Sequence, residues 1–142
     1  MLDVTVQLYD GKYHPVDSKD IAFQIAGRKA VKQAVMESRP VLLEPVYAVD
    51  VVVPAGLVGE VIGDMNSRRG RVVDMETRGR NAVVKALVPL AELLTYSPDL
   101  RSMTAGKGSY TMAMSGYEQV PSHLQGQIVA EVTRLTAADD DD

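Results

Sequence analysis

Between residues 44 and 120 the chain alternates patterns in a fixed order: strand, helix, strand, strand, helix, strand. Apolar residues two apart mark the strands, three and four apart the helices, and Gly or Pro punctuates the joints. That order predicts an α+β domain, the ferredoxin-like split βαβ sandwich, with an antiparallel sheet carrying helices on one face. A partial α/β unit (strand, loop, helix) precedes it, and one further helix follows it.

Taken in order, residues 2–8 alternate well enough for a strand, and Asp10-Gly11 opens a turn. The loop Gly11, Lys12, Tyr13, His14, Pro15, Val16, Asp17 follows, with Ser18 as the expected N-cap of a helix over 19–38. That helix carries Ile21, Ala22, Ile25, Ala26, Ala30, Val31, Ala34 and Val35 at helical spacing, and Arg39-Pro40 stops it. In the second unit Tyr47, Val49, Val51 and Val53 share one side of a strand. Pro54-Ala55-Gly56 turns into a helix over 57–69, closed by Gly70 in the left-handed conformation. Strands over 71–76 and 82–88 flank the hairpin loop 78–81. Pro89 opens a helix over 90–96 that resumes at 99–102 after Pro98. The loop 104–109 leads to a strand over 110–115. A last helix, placed at 121–136, is followed by an acidic tail, 137–142, expected to be disordered.

Composition narrows the function classes. The 142 residues are 46% hydrophobic but include one Phe and no Trp, so the core must be aliphatic. With no Cys, disulfides, thiol catalysis and cysteine metal sites are out. No stretch of 18 apolar residues and no leader pattern occurs, so no membrane-spanning helix or signal segment is expected, and the lack of Cys fits a cytoplasmic protein. The net charge of −4 equals the charge of Asp139 to Asp142 alone, leaving the rest formally neutral with its bases clustered. From Asn66 to Lys85 there are six bases (Arg68, Arg69, Arg71, Arg78, Arg80, Lys85) against two acids, a balance suited to a phosphate-rich partner.

Chemistry is sparse. His14 and His123 are isolated from each other and from carboxylate spacing, which disfavours a metal site or an acid–base pair. Gly106-Lys107 fails as a phosphate loop, because Gly108 stands where Ser or Thr is needed and Arg101 where the first glycine is needed. An acylphosphatase-like enzyme would need an arginine in the loop after the first strand, and Pro54 to Gly59 has none. The sequence therefore points away from an enzyme. Arg68, Arg69 and Arg71 around Gly70 favour a helix C-terminus electrostatically, yet exceed what capping requires.

Several blocks in the right order carry a resemblance. They are Leu8 to Ser18, Leu43-Glu44-Pro45-Val46, Gly63-Asp64-Met65-Asn66-Ser67-Arg68-Arg69-Gly70, Val88-Pro89-Leu90-Ala91-Glu92 with Tyr96, and Asp99-Leu100-Arg101-Ser102 with Met103-Thr104. Together they resemble the C-terminal part of the elongation factor G family of translational GTPases. The resemblance implies that 1–43 is the second half of the family's domain IV and 44–120 its ferredoxin-like domain V. The last helix, 121–136, would then pack toward domain IV. It also implies that the loop from Gly11 to Asp17 is a tip reaching the tRNA–mRNA pair at the decoding site. Arg68, Arg69, Arg71, Arg101, Ser102 and Lys107 would meet large-subunit rRNA at the sarcin–ricin loop and stalk base. The implied role is in tRNA–mRNA translocation, with the remaining domains of the parent GTPase as partners. GTP and magnesium belong to that full-length parent, and no cofactor, metal or membrane contact is expected for this stretch. Pro15 departs from the acidic residue usual at its place in the tip; Ala105 and Lys107 depart from the glutamine and arginine usual at theirs and, with the plain run Ala113-Met114-Ser115-Gly116, keep a recycling paralogue open. An independent ferredoxin-like RNA- or ligand-binding module is the alternative reading.

Overall fold

The computed structural model describes residues 1–139, in two compact units, one of them Met1–Val41 and the other beginning at Leu42.

The first unit contains helix α1, Asp20–Glu37, and no strand among its described residues. The expected strand over 2–8 does not form: Leu2, Val4, Val6 and Leu8 all lie exposed. A single strand leaves its backbone donors and acceptors unpaired unless a neighbour completes a ladder, and this unit supplies none. Ser18 is not the cap of α1 either. Lys19 takes the N-cap position without a side-chain bond, while Ser18 Oγ accepts from the His14 N–H at 2.6 Å. No residue of α1 is buried, so its apolar stripe stays open to solvent.

The second unit is the expected sandwich. Strands β1 (Leu43–Pro54), β2 (Arg71–Arg78), β3 (Asn81–Pro89) and β4 (Ser109–Gln119) form one antiparallel sheet in the order β2-β3-β1-β4. β1 is central and pairs on both sides, which is why its valine run suits it. Val49, Val51 and Val53 of β1 stand in register with Ala86, Val84 and Ala82 of β3, and this face carries the core. Against it pack Val61 and Met65 of helix α2 (Val58–Ser67), Leu93, and Tyr96 and Leu100 of helix α3 (Tyr96–Met103). Burying each such aliphatic side chain is worth ~1.5–3 kcal/mol, enough to hold a core that lacks Phe and Trp.

Boundaries differ from expectation where local sterics decide. The turn after β1 is a 3-10 helix, Ala55–Leu57, before α2 begins. The helix expected over 90–96 is only a 3-10 turn, Leu90–Leu93, and α3 runs straight through Pro98. Pro98 is the third residue of α3, where a backbone N–H has no partner within the helix and its loss costs nothing. β4 continues to Gln119 because pairing with β1 resumes beyond a bulge opposite Val46 and Tyr47. Helix α4 spans Ser122–Asp139, three residues into the stretch expected to be a disordered tail, while 140–142 lie outside the described residues.

The helix-closing residue also moves. Arg69, at φ +57°, takes the left-handed position, and Gly70 does not. Arg69 N–H donates to Asn66 O (3.2 Å) and Gly70 N–H to Met65 O (2.8 Å), the paired bonds of a Schellman end. Gly70 is needed for space instead, since a Cβ there would lie 2.7 Å from Met65 O and 3.1 Å from Val88 Cγ2. α3 ends the same way, with Ala105 at φ +49°, its N–H on Ser102 O, and Gly106 N–H on Arg101 O (2.9 Å).

Candidate functional site

Arg68 sits one residue past α2 and faces three elements. Its Nε donates to Asp64 Oδ2 (2.8 Å), one guanidinium NH2 to Glu92 O (2.9 Å) and the other to Asp99 Oδ2 (2.6 Å). Its plane also lies 5.1 Å from the centre of the Tyr96 ring, a cation–π contact. Arg69 points elsewhere: a two-bond fork onto Glu44 (2.7 and 3.0 Å) and Nε to Glu92 Oε1 (3.0 Å). Their side chains are 12% and 26% exposed. The hydrogen bond to Asp64 raises the pKa of Arg68 and that to Glu44 raises the pKa of Arg69, so both stay charged. These two arginines were expected to meet phosphate; in the structure their donors are turned inward.

The same inward use explains Tyr96. Its ring is fully buried, edge-on to Tyr110 at 4.9 Å, and its Oη makes no hydrogen bond among the described residues. Burial raises its pKa well above the usual phenol range.

The end of α3 is different. Arg101, Ser102 and Lys107 are all exposed, and no salt bridge engages Arg101 or Lys107 among the described residues. Buried Thr104 builds the loop beneath them: its Oγ1 donates to Leu100 O (2.7 Å) and accepts from Gly108 N–H (2.9 Å). Lys107 N–H donates to Thr104 O at 3.0 Å. Gly108 has no room for a side chain, since a Cβ would fall 2.9 Å from the Thr104 side chain. Thus α3 and its Schellman end present two cations and a hydroxyl on a fixed backbone.

Arg71 is apart from both groups, on edge strand β2, loosely paired with Glu118 at 3.4 Å and well exposed. Further along the sheet Lys85 bridges Asp74 and Glu76, and Glu76 also takes Arg78. Hydrogen bonding to Lys85 lowers the Glu76 pKa, and the reverse bond raises that of Lys85. So much of the basic cluster from Asn66 to Lys85 is neutralised at home.

Gly11, Lys12, Tyr13, His14, Pro15, Val16 and Asp17 are all exposed in the first unit. A turn over 15–17 closes on His14: its Nδ1 accepts from the N–H groups of Val16 and Asp17, both at 3.3 Å, and its O accepts from Ser18 N–H at 3.1 Å. With Nδ1 an acceptor, the neutral ring carries its proton on Nε2. Asp17 Oδ2 lies 3.3 Å from Nδ1 and forms an ion pair only when the ring is doubly protonated.

Among the described residues no cluster of three His, Asp or Glu side chains is placed to hold a metal ion, and no helix is long and apolar enough to cross a membrane. Sequence reasoning missed Glu44, Asp64, Glu92 and Asp99 as partners, and Thr104 as the loop's peg. Only Asp64, four residues before Arg68, carried a local signal, the i,i+4 spacing.

A four-stranded antiparallel sheet in the order β2-β3-β1-β4, with α2 and α3 packed on one face, defines an α+β sandwich of the ferredoxin-like class. The chain matches the family described as elongation factor G C-terminus over residues 41–128, and that described as elongation factor G, domain IV, over residues 1–39. It belongs to the elongation factor G family. It is 52% identical over 131 residues to an elongation factor G of Aquifex pyrophilus, an alignment covering 92% of this chain and 19% of that protein. A crystal structure of a protein from Thermus thermophilus superposes with a TM-score of 0.76 at 48% identity, over 89% of this chain and 19% of that one. The chain thus spans about a fifth of the length of the relatives it matches.

Proposed function

We propose that these residues are the ribosome-facing part of a translational GTPase that acts in the cytoplasm. In this reading the exposed loop from Gly11 to Asp17 reaches the tRNA–mRNA pair at the decoding site. Arg101, Ser102 and Lys107, with Arg71 at the sheet edge, meet large-subunit rRNA at the sarcin–ricin loop and stalk base. GTP and magnesium are handled by other domains of the parent, and the contribution made here is to binding and to tRNA–mRNA movement. Arg68 and Arg69, turned inward, leave the list of phosphate contacts.

The observation that carries the reading is the contrast at the ends of α2 and α3: two half-buried, paired arginines beside two exposed, unpaired cations. An unpaired exposed cation can displace the counterions condensed on a phosphate backbone without breaking any contact in the fold. The test is binding of the full-length factor to ribosomes as a function of salt. Replacing Arg101 and Lys107 together by Gln should weaken binding and lower the salt slope by up to about two units, one per contact. An unchanged slope would assign both residues to ordinary solvated surface.

A further inference from the structure

The cations that point outward depend on arginines that point inward. Arg68 joins three consecutive features of the segment leading into the exposed end: Glu92 O in the 3-10 turn, the Tyr96 ring, and Asp99 Oδ2 in the first turns of α3. Arg69 holds the carboxylate of the same Glu92 and, through its fork, Glu44 at the start of β1. Glu92 is therefore gripped twice, by its backbone from Arg68 and by its side chain from Arg69. Arg101 lies two residues beyond Asp99, and its carbonyl accepts the Gly106 N–H that closes the loop bearing Lys107. The path from Arg68 to Lys107 is one continuous run of short hydrogen bonds and one eight-residue helix.

We propose that Arg68 and Arg69 are positioning residues for the RNA-binding end of α3, setting where Arg101 and Lys107 stand without touching RNA themselves. This rests on the reading of Arg101 and Lys107 as phosphate contacts. The chemistry favours arginine over lysine at both places. A planar guanidinium satisfies three acceptors on separate elements, or grips one carboxylate with two parallel bonds, where an ammonium is a single point charge. Three of the five N–H donors of each guanidinium, one on every nitrogen, are committed within the fold, and the side chains are only 12% and 26% exposed.

Two measurements on the 142-residue chain and on the full-length factor separate this from its rivals. The first is amide hydrogen exchange, which needs no RNA. Arg68→Gln should speed exchange at Thr104, Gly106, Lys107 and Gly108 by about tenfold or more while the paired amides of β1 and β3 keep their protection, and Arg68→Lys should restore part of the loss. Asp99→Asn, whose side chain is 46% exposed and whose change leaves the core intact, provides the same test if Arg68→Gln does not fold. Unchanged exchange at those four amides in Asp99→Asn and in any folded Arg68 variant would overturn the brace. The second is a double-mutant cycle in ribosome binding. In the parent background Arg68→Gln should weaken binding severalfold, and in an Arg101→Gln, Lys107→Gln background it should add nothing. An additive loss, with the salt slope reduced by a further unit or so, would make Arg68 a direct phosphate contact and overturn the proposal. If the Arg101→Gln, Lys107→Gln protein binds as well as the parent, the RNA reading falls, and the positioning role falls with it even where exchange shows the brace.

Discussion

Glu44 and Arg69 face each other through two parallel hydrogen bonds, 2.7 and 3.0 Å, between the first residues of the central strand and the corner after α2. They are 25 residues apart in sequence, and the contact ties the start of the sheet to the connection that leads into β2. A two-bond fork of this kind, mostly shielded from water, is worth more than an exposed ion pair because salt and solvent screen it less.

Glu44→Gln should accordingly destabilise the second unit by about 1–3 kcal/mol, the cost of leaving a half-buried guanidinium short of its charged acceptor. Arg71→Gln, which removes the exposed 3.4 Å contact to Glu118, should change stability by less than about 0.5 kcal/mol. Urea denaturation followed by circular dichroism compares the two, and equal losses would show that the fork has no special weight.

Tyr96→Phe should leave stability unchanged or raise it by up to about 1 kcal/mol. The Oη is buried with no partner among the described residues, so the hydroxyl brings a desolvation cost and no bond in return. Its pKa also fixes a sign. A phenol whose folded pKa is raised above its unfolded value of about 10 stabilises the fold below that value and loses that contribution as pH rises beyond it. Between about pH 10 and 12 the wild type should lose stability faster than Tyr96→Phe, and denaturant melts across that range should diverge.

The two Schellman corners make opposite predictions for glycine. Gly70→Ala should cost about 1–3 kcal/mol or more, because the new methyl meets Met65 O, a backbone atom that cannot move aside. Ala105→Gly should stabilise by up to about 1 kcal/mol, since it removes a Cβ from a left-handed residue at φ +49°. Thermal melts of both variants decide this, and a stabilised Gly70→Ala would mean that the corner is looser than its distances show.

Asp99 gives the acid limb. Its hydrogen bond from Arg68 lowers its pKa below the ordinary carboxylate range. A depressed folded pKa contributes stability that is present above the unfolded value, about 3.9, and lost as pH falls below it through the folded value. Wild type should therefore destabilise more steeply than Asp99→Asn between about pH 4 and pH 2, and parallel acid profiles would remove the Arg68–Asp99 bond from the account.

His14→Ala in the full-length factor should slow tRNA–mRNA movement and leave ribosome-stimulated GTP hydrolysis nearly unchanged. It deletes the exposed imidazole and with it the Nδ1 acceptor that closes the turn over 15–17. His14→Asn keeps a side-chain oxygen able to accept those N–H bonds and should restore part of the rate. Rapid kinetics of both steps on one preparation test it, and a parallel fall in hydrolysis would detach this loop from the movement step.

Much of the second unit was legible because its signals are local. The alternation of Val49, Val51 and Val53 fixes a strand face, and Gly79, at φ +63°, supplies the hairpin turn where Arg78-Gly79-Arg80-Asn81 predicts one. What failed was decided by partners distant in sequence. Leu2 to Leu8 has a strand's alternation and no neighbour to pair with. Arg68 and Arg69 looked like free charge when weighed against the acids between Asn66 and Lys85, yet Glu44, Glu92 and Asp99 all lie outside that window. The general preference of glycine predicts the left-handed corner at Gly70, whereas crowding by Met65 and Val88 gives that glycine a different task. At the exposed end of α3, Arg101, Ser102 and Lys107 could be named from the resemblance, but Thr104, the side chain that shapes their loop, has no signature in a single sequence.

The left-handed Arg69 imposes a narrow path on heritable change. Glycine would relax its backbone but erase three hydrogen bonds at a stroke, and lysine would keep the strain while surrendering the fork. Replacing Arg69 alone would leave the Glu44 carboxylate without its fork and Glu92 without its Nε partner. Variation at residues 44, 69 and 92 should travel together through descent, three sites inherited as one.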